Sequence, residues 1–249
     1  MAIRRQVLRD EVEELILQRL LENRWAPGSR LSIDGLARDL EVSPTPVREA
    51  MVALERSGLV EYVALRGYVV APPLDAEHMT ELLDARKVVE SAALGRAFTQ
   101  WDALVADLEA AHARHAEVLA QIDAAGAEDY ELLNEHFRAD WAFHQVFFAH
   151  ADNRYLRTMV ENLSTYSHRM RQTWSGGPET FDGRVAHDEH GIVLEKVRQH
   201  HHDGALQALA AHLDAVLARS LSAAEDWPAP ARPGRGARAG TRRARRARG

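Results

Sequence analysis

From Val7 to Asn23 the apolar positions Leu8, Val12, Leu15, Ile16, Leu20 and Leu21 recur at helical spacing, which predicts a first helix. Trp25-Ala26-Pro27-Gly28 breaks it and turns the chain. A short second helix is predicted next, with Ile33, Leu36, Ala37 and Leu40 on its buried side. Ser43-Pro44-Thr45-Pro46 opens a third, because serine is a favoured N-cap and proline fits the first turn. That helix runs through Val47, Met51 and Leu54 and stops at Gly58. Leu59–Val63 and Gly67–Val70 then read as two short strands around Ala64-Leu65-Arg66, a hairpin closed off by Pro72-Pro73.

Beyond Asp75 the pattern changes. No strand alternation is found up to about Ala224, and periodic helices are predicted over 77–98, 102–124, 128–150, 153–173, 182–200 and 203–224. Gly126 and Ser175-Gly176-Gly177-Pro178 mark two of the breaks. After Trp227 the chain turns to Pro, Gly, Ala and Arg, with almost nothing to bury, and is expected to be disordered. The predicted fold class is mostly α. An N-terminal winged helix-turn-helix (1–72) is followed by a linker (73–77), a C-terminal all-α antiparallel helical bundle (78–224) and an arginine-rich tail (225–249).

Composition narrows the function classes. The chain is 249 residues long, 46% apolar and 27% charged, as expected of a globular protein. Charges interrupt every apolar helical stretch, so no membrane span is expected, and the start lacks the apolar run of a signal peptide. The absence of cysteine excludes disulfides, thiolate metal sites and a cysteine nucleophile, and suits the cytoplasm. The net charge of −6 divides unevenly. Residues 1–72 are close to neutral, 73–226 are strongly acidic, and 227–249 hold eight arginines and no acid. DNA affinity in the head must therefore come from where its arginines sit.

Three short helices followed by a hairpin would lay the third helix in the major groove, with the wing against the adjacent backbone. Gly28-Ser29-Arg30-Leu31, then Val42-Ser43-Pro44-Thr45-Pro46-Val47-Arg48-Glu49-Ala50 and Leu54-Glu55-Arg56-Ser57-Gly58-Leu59-Val60, closely resemble the DNA-binding domain of the GntR superfamily. Ser43 and Thr45 stand at the helix N-terminus, where hydroxyl and backbone N–H groups meet a phosphate. Arg48, one turn on, has the fork to read a guanine edge, and Arg30 and Arg38 are candidate phosphate contacts. Gly67 would let the wing approach DNA closely. For Arg48 the competing reading is a surface ion pair with Glu49 or Glu55. The chain departs from the family at Pro44, where an arginine is usual, and at Glu41, commonly glycine. Both changes point to a different or weaker operator contact.

Asp140 and His144, four residues apart, leave the same face of one helix, and His190 and His212 lie in the last two helices. Among thirteen histidines such spacing is weak on its own. Glu81-Leu82-Leu83-Asp84-Ala85-Arg86 with Glu90, Asp140-Trp141-Ala142-Phe143-His144, Asn153, Glu189-His190 and Ala211-His212-Leu213 resemble the FCD-type ligand-binding domain of the FadR branch of that superfamily. The resemblance implies a divalent transition metal (zinc, nickel or manganese) on Asp140, His144, His190 and His212, with a small carboxylate effector beside it. Arg86 suits that carboxylate, and an ion pair with Glu90 is the equal alternative. His200-His201-His202 reads as a solvated helix end, and His136, His150 and His187 receive no role. The expected function is a ligand-responsive DNA-binding transcriptional regulator, a repressor and not an enzyme, acting as a homodimer on a two-fold symmetric operator. A metal-dependent hydrolase with a DNA-binding head is the rival reading, and a DNA-packaging protein using the arginine tail a third.

Overall fold

A computed structural model describes residues 2–22, 24–125, 129–163, 168–169 and 181–225. In the head, α1 (Ala2–Leu21), α2 (Ile33–Asp39) and α3 (Pro44–Arg56) close a core of Val12, Ile16, Leu20, Leu36, Val47, Met51 and Leu54. Helix α1 begins before Val7, because the residues ahead of it are good helix formers that carry no apolar period. The hairpin strands β2 (Val60–Val63) and β3 (Gly67–Val70) are joined by a strand the pattern did not reveal, β1 (Arg30–Leu31). The sheet is antiparallel in the order β1-β3-β2, with Arg30 opposite Val69 and Val63 opposite Gly67. Two residues are too few to show alternation, so periodicity assigns no element to Arg30–Leu31.

Glu41 holds the turn between α2 and α3 at φ 55°, in the left-handed region. The backbone N–H of Val42 returns there to the Ala37 carbonyl, 2.9 Å away. Glycine would adopt that conformation without cost, whereas an L side chain pays about 1–2 kcal/mol. The departure at Glu41 is thus first a matter of backbone conformation and only then of charge.

Among the described residues the C-terminal part is all helix apart from its connections. Its elements are α4 (Ala76–Ala97), a 3-10 turn (Phe98–Gln100), α5 (Trp101–Ala125), α6 (Tyr130–His150), α7 (Arg154–Leu163), α8 (Gly183–Arg198) and α9 (His202–Glu225). Their starts have chemical causes. The Asp75 side chain accepts from His78 N–H, Asp129 from the N–H groups of Glu131 and Leu132, and Asn153 from those of Tyr155 and Leu156. The Asp75 cap starts α4 inside the stretch predicted as linker. Helix α4 packs against α6 and α9, and α5 against α6 and α8. Their shared core holds Leu83, Leu94, Leu104, Phe143, Phe147, Val193 and Leu213.

The histidine run is divided. His200 follows α8 at φ 54° and stacks on Trp101, while His202 begins α9. The predicted breaks at Gly126 and 175–178, residues 164–167 and 170–173 of the helix predicted over 153–173, and the arginine tail beyond 225 lie outside the described residues.

Head and bundle touch through α1 and α6. Leu21, Leu133 and Phe137 are buried together with Leu17 and Phe181 against them. At the rim Arg138 pairs with Glu14, and Gln18 Nε2 donates to Glu131 at 3.3 Å. Helix α6 therefore carries head contacts at Phe137 and Arg138 and, within the next two turns, Asp140 and His144.

Candidate metal centre and nucleic-acid interface

Helix α3 shows water one face of its own. Val47, Ala50, Met51 and Leu54 are buried, while Ser43, Thr45, Arg48 and Val52 are exposed. Ser43 occupies the N-cap position in extended conformation, but its hydroxyl makes no capping bond. Arg48 has no ion pair among the described residues, so the pairing with Glu49 or Glu55 weighed from sequence is not formed. Arg38 is exposed on α2, and Arg30 is exposed on β1 beside the hairpin. Gly67 sits at φ 80° and closes the wing turn, which by itself accounts for a glycine there. Leu65 at the wing tip is fully exposed, and Arg66 turns back to the Gly28 carbonyl at 3.2 Å.

In the bundle the helices bring three imidazoles to one point. His144 on α6, His190 on α8 and His212 on α9 are all buried. The Nε2 atom of His190 lies 3.0 Å from that of His144 and 3.3 Å from that of His212. The opposite nitrogens fix the tautomers. His144 Nδ1 donates to Glu90 Oε2 at 2.8 Å, and His212 Nδ1 donates to Glu189 Oε2 at 2.7 Å. An ionised carboxylate only accepts, so the proton sits on Nδ1 and both Nε2 atoms present bare lone pairs.

Behind each carboxylate stands an arginine. Arg86 pairs through Nε with Glu90, and Arg219 grips Glu189 with both Nη atoms at 2.8 and 2.9 Å. Arg219 also donates to Asp182, which Arg169 holds at 3.0 Å. Burial pushes the Glu90 carboxyl up, but Arg86 and His144 outweigh it and hold it at about 2. Burial drives the His190 imidazole well below its usual range and lowers that of His212.

Three converged Nε2 atoms repel one another unless a proton or a cation lies between them. One proton on His190 Nε2 reaches a single neighbour. Nitrogens bound to one ion at about 2.0–2.1 Å stand roughly 3.0–3.4 Å apart, which is the spacing found here. Imidazoles backed by a carboxylate, as His144 and His212 are, are also the usual donors of a transition-metal site, whereas the buried Nδ1 of His190 has no hydrogen-bond partner among the described residues. The residues present therefore fit such an ion.

Asp140 stands slightly apart from the three histidines, its Oδ1 3.7 Å from His190 Nε2. Its carboxyl is pushed up by burial but lowered overall, chiefly by His144, His136 and His115. Of the four residues predicted as ligands, the structure thus gathers three and sets the fourth against His190. Arg86, the predicted effector residue, is committed through Nε to Glu90, but its buried Nη2 has no partner among the described residues, and its guanidinium lies over Trp141.

Sequence reasoning missed His115 on α5, although His112 and His115, and likewise His136 and Asp140, have the spacing of one helix face. His115 is fully buried, and its Nε2 lies 2.9 Å from His136 Nδ1. Burial drives its imidazole down to about 3.

Comparison with known proteins agrees with this division of labour. Residues 8–70 match the gntR family of bacterial regulatory proteins, and residues 81–215 match the FCD domain. The HTH-type transcriptional regulator LutR of Bacillus subtilis is 30% identical over 209 residues, 76% of this chain and 90% of its own length. The HTH-type transcriptional repressor GlaR of Escherichia coli is 28% identical over 159 residues, 62% of this chain and 68% of its own. A solved structure described as a transcriptional regulator GntR from Rhodococcus sp. RHA1 superposes with a TM-score of 0.66 at 22% identity. It covers 86% of this chain and 97% of that one, a likeness of fold.

Proposed function

The chain belongs to the GntR family of bacterial transcriptional regulators and carries an FCD domain, and we propose that it is a metal-containing repressor released by a small carboxylate. The convergence of the bare Nε2 atoms of His144 and His212 on His190 Nε2, at 3.0 and 3.3 Å, carries this reading. His144, His190 and His212 hold one divalent transition ion, zinc, nickel or manganese, with Asp140 as the adjoining oxygen donor. The ion supplies a Lewis-acidic face for an anionic effector. Arg86 Nη2, buried and unpartnered, is the donor placed to receive the effector's second oxygen. The family assignment makes the chain a regulator and sets aside the hydrolase. The likeness to a repressor, GlaR, supports the sign of the response. No helix among the described residues is long and apolar enough to cross a membrane, and we place the protein in the cytoplasm with its DNA.

Purified, tag-free protein with the His200–His202 run replaced by glutamine is expected to contain about one transition ion per chain. His144→Ala and His212→Ala should each weaken metal binding by roughly 10-fold or more, comparable to or larger than the loss of an outer partner. Equal metal affinity in all three would remove the centre.

Ser43, Thr45 and Arg48 on α3, with Arg30, Arg38 and the wing at Gly67, form the proposed DNA-binding face. As a homodimer the protein would set two such helices on one two-fold operator. Arg48→Ala is expected to cost about 1–3 kcal/mol of specific binding by fluorescence anisotropy, with little loss on unrelated DNA. Thr45→Val should weaken both alike, since phosphate contacts carry no base information. Wild-type binding by both variants would refute this placement of α3.

A further inference from the structure

The three-histidine centre does not account for His115. This side chain is fully buried on α5, and its Nδ1 has no hydrogen-bond partner among the described residues. The opposite nitrogen, Nε2, is anchored to His136 Nδ1 at 2.9 Å. His136 thus anchors the His115 ring, and where its Nδ1 accepts, the proton lies on His115 Nε2 and the buried Nδ1 keeps a lone pair. A buried nitrogen in that state is costly unless something meets it. One ligand atom each from His115, Asp140 and His190 lies within 4.8 Å of the others, as is also true of His144, His190 and His212.

We propose that His115, Asp140 and His190 form a second seat for the divalent transition ion, an alternative to the three-histidine seat that shares with it His190 and the adjoining Asp140. Two nitrogens and one carboxylate oxygen suit zinc and nickel, as the first seat does, and cobalt(II), which serves as their spectroscopic probe. The seats exclude each other. Both draw on His190, and the single carboxylate of Asp140 offsets too little charge for two dications a few ångströms apart. The first seat ties α6 to α8 and α9. The second ties α6 and α8 to α5 and frees His212. An ion that changes seats therefore changes which helix α6 is clamped to, and α6 is the helix that carries the Phe137 and Arg138 contacts to the head.

The proposal rests on the metal-centre reading, and cobalt(II) titration of the full chain separates the two. All proteins carry glutamine at 200–202, and absorption in the visible reports the coordination. Wild type is expected to take one ion per chain. His212→Ala should still take one, bound roughly 10–100-fold more weakly and with a changed visible spectrum. Adding His115→Phe, which keeps a ring in the space, should weaken binding by a further tenfold or more and abolish that spectrum. Adding His115→Gln should do the same, which guards against a packing artefact of the phenylalanine. If His212→Ala takes no cobalt, or if neither His115 change alters its affinity or spectrum, the second seat does not exist. Failure of wild type to bind cobalt would instead overturn the metal centre itself and the second seat with it.

Discussion

Arg86→Met is expected to lower the unfolding free energy of the chelated protein by about 3–5 kcal/mol, the usual cost of stranding one partner of a buried ion pair. Glu90 is completely buried and Arg86 is 3% exposed, so neither can turn to water when the other is lost. With Arg86 gone, only His144 Nδ1 remains on the carboxylate, whose depressed pKa rests first on that arginine. Glu90 would then take up a proton or recruit water into the core. Arg86→Met combined with Glu90→Gln should recover much of the loss, because no buried charge is left. Urea unfolding of the two singles and the double, run as a cycle, measures the coupling. A loss below about 1 kcal/mol for Arg86→Met would mean that the pair is hydrated in solution. Arg86→Lys separates the structural role from recognition. It keeps a charge near Glu90 but has no second arm, so effector binding should fall further than stability.

That ambiguity shows where the sequence is readable. The spacing of Arg86 and Glu90 allows either an ion pair or a ligand contact, and the structure forms the ion pair while leaving other atoms of the guanidinium for the contact proposed. Nε is spent on Glu90, and Nη2 is left over. Periodicity placed the bundle helices well because each buries a long apolar stripe, which repeats often enough to be seen. It could not show β1, whose two residues owe their strand conformation to pairing with β3, a contact distant in sequence. The Asp140/His144 pair was legible because one helix face holds both. His190 and His212 became legible only through resemblance, since spacing does not say which faces of α8 and α9 turn inward. His115 was hidden for a different reason. An isolated imidazole on α5 resembles any core histidine until His136, from α6, is seen to occupy its other nitrogen. Glu41 shows a further limit: sequence displayed its charge, while its left-handed backbone became visible only in the folded turn.

The buried imidazoles carry the second large effect. Stability of the chelated protein should be greatest above about pH 6.5 and fall steeply as the pH drops below it. Burial holds the His115 imidazole at about 3, places His190 well below its usual range, and lowers His136 and His212. In the unfolded chain each returns to about 6.5. Between those values the unfolded state binds protons that the folded state refuses, so every decrement in pH favours unfolding. One such imidazole contributes a slope of about 1.4 kcal/mol per pH unit across this window. Glu90 and Asp182, both held at about 2, act lower down. Their stabilisation is present above the ordinary carboxylate range of about 4 and lost as the pH falls through it towards 2. A decline that begins near pH 6.5 therefore belongs to the histidines, and one confined below about 4.5 to the carboxylates. Urea unfolding with chelator at pH 7.5, 6.5 and 5.5 distinguishes them. His115→Phe should reduce the stability lost between pH 7.5 and 5.5 by roughly 1.4 kcal/mol, about 0.7 kcal/mol per unit, because the unfolded imidazole is only half protonated at the middle of that range. Equal stability at all three pH values would show that water or a proton reaches the histidines in the folded state. A bound ion adds a term of the same sign, since ligating imidazoles must stay neutral. The slope of the metal-loaded protein should thus exceed that of the chelated one, and the excess should vanish when His190, common to both seats, is replaced.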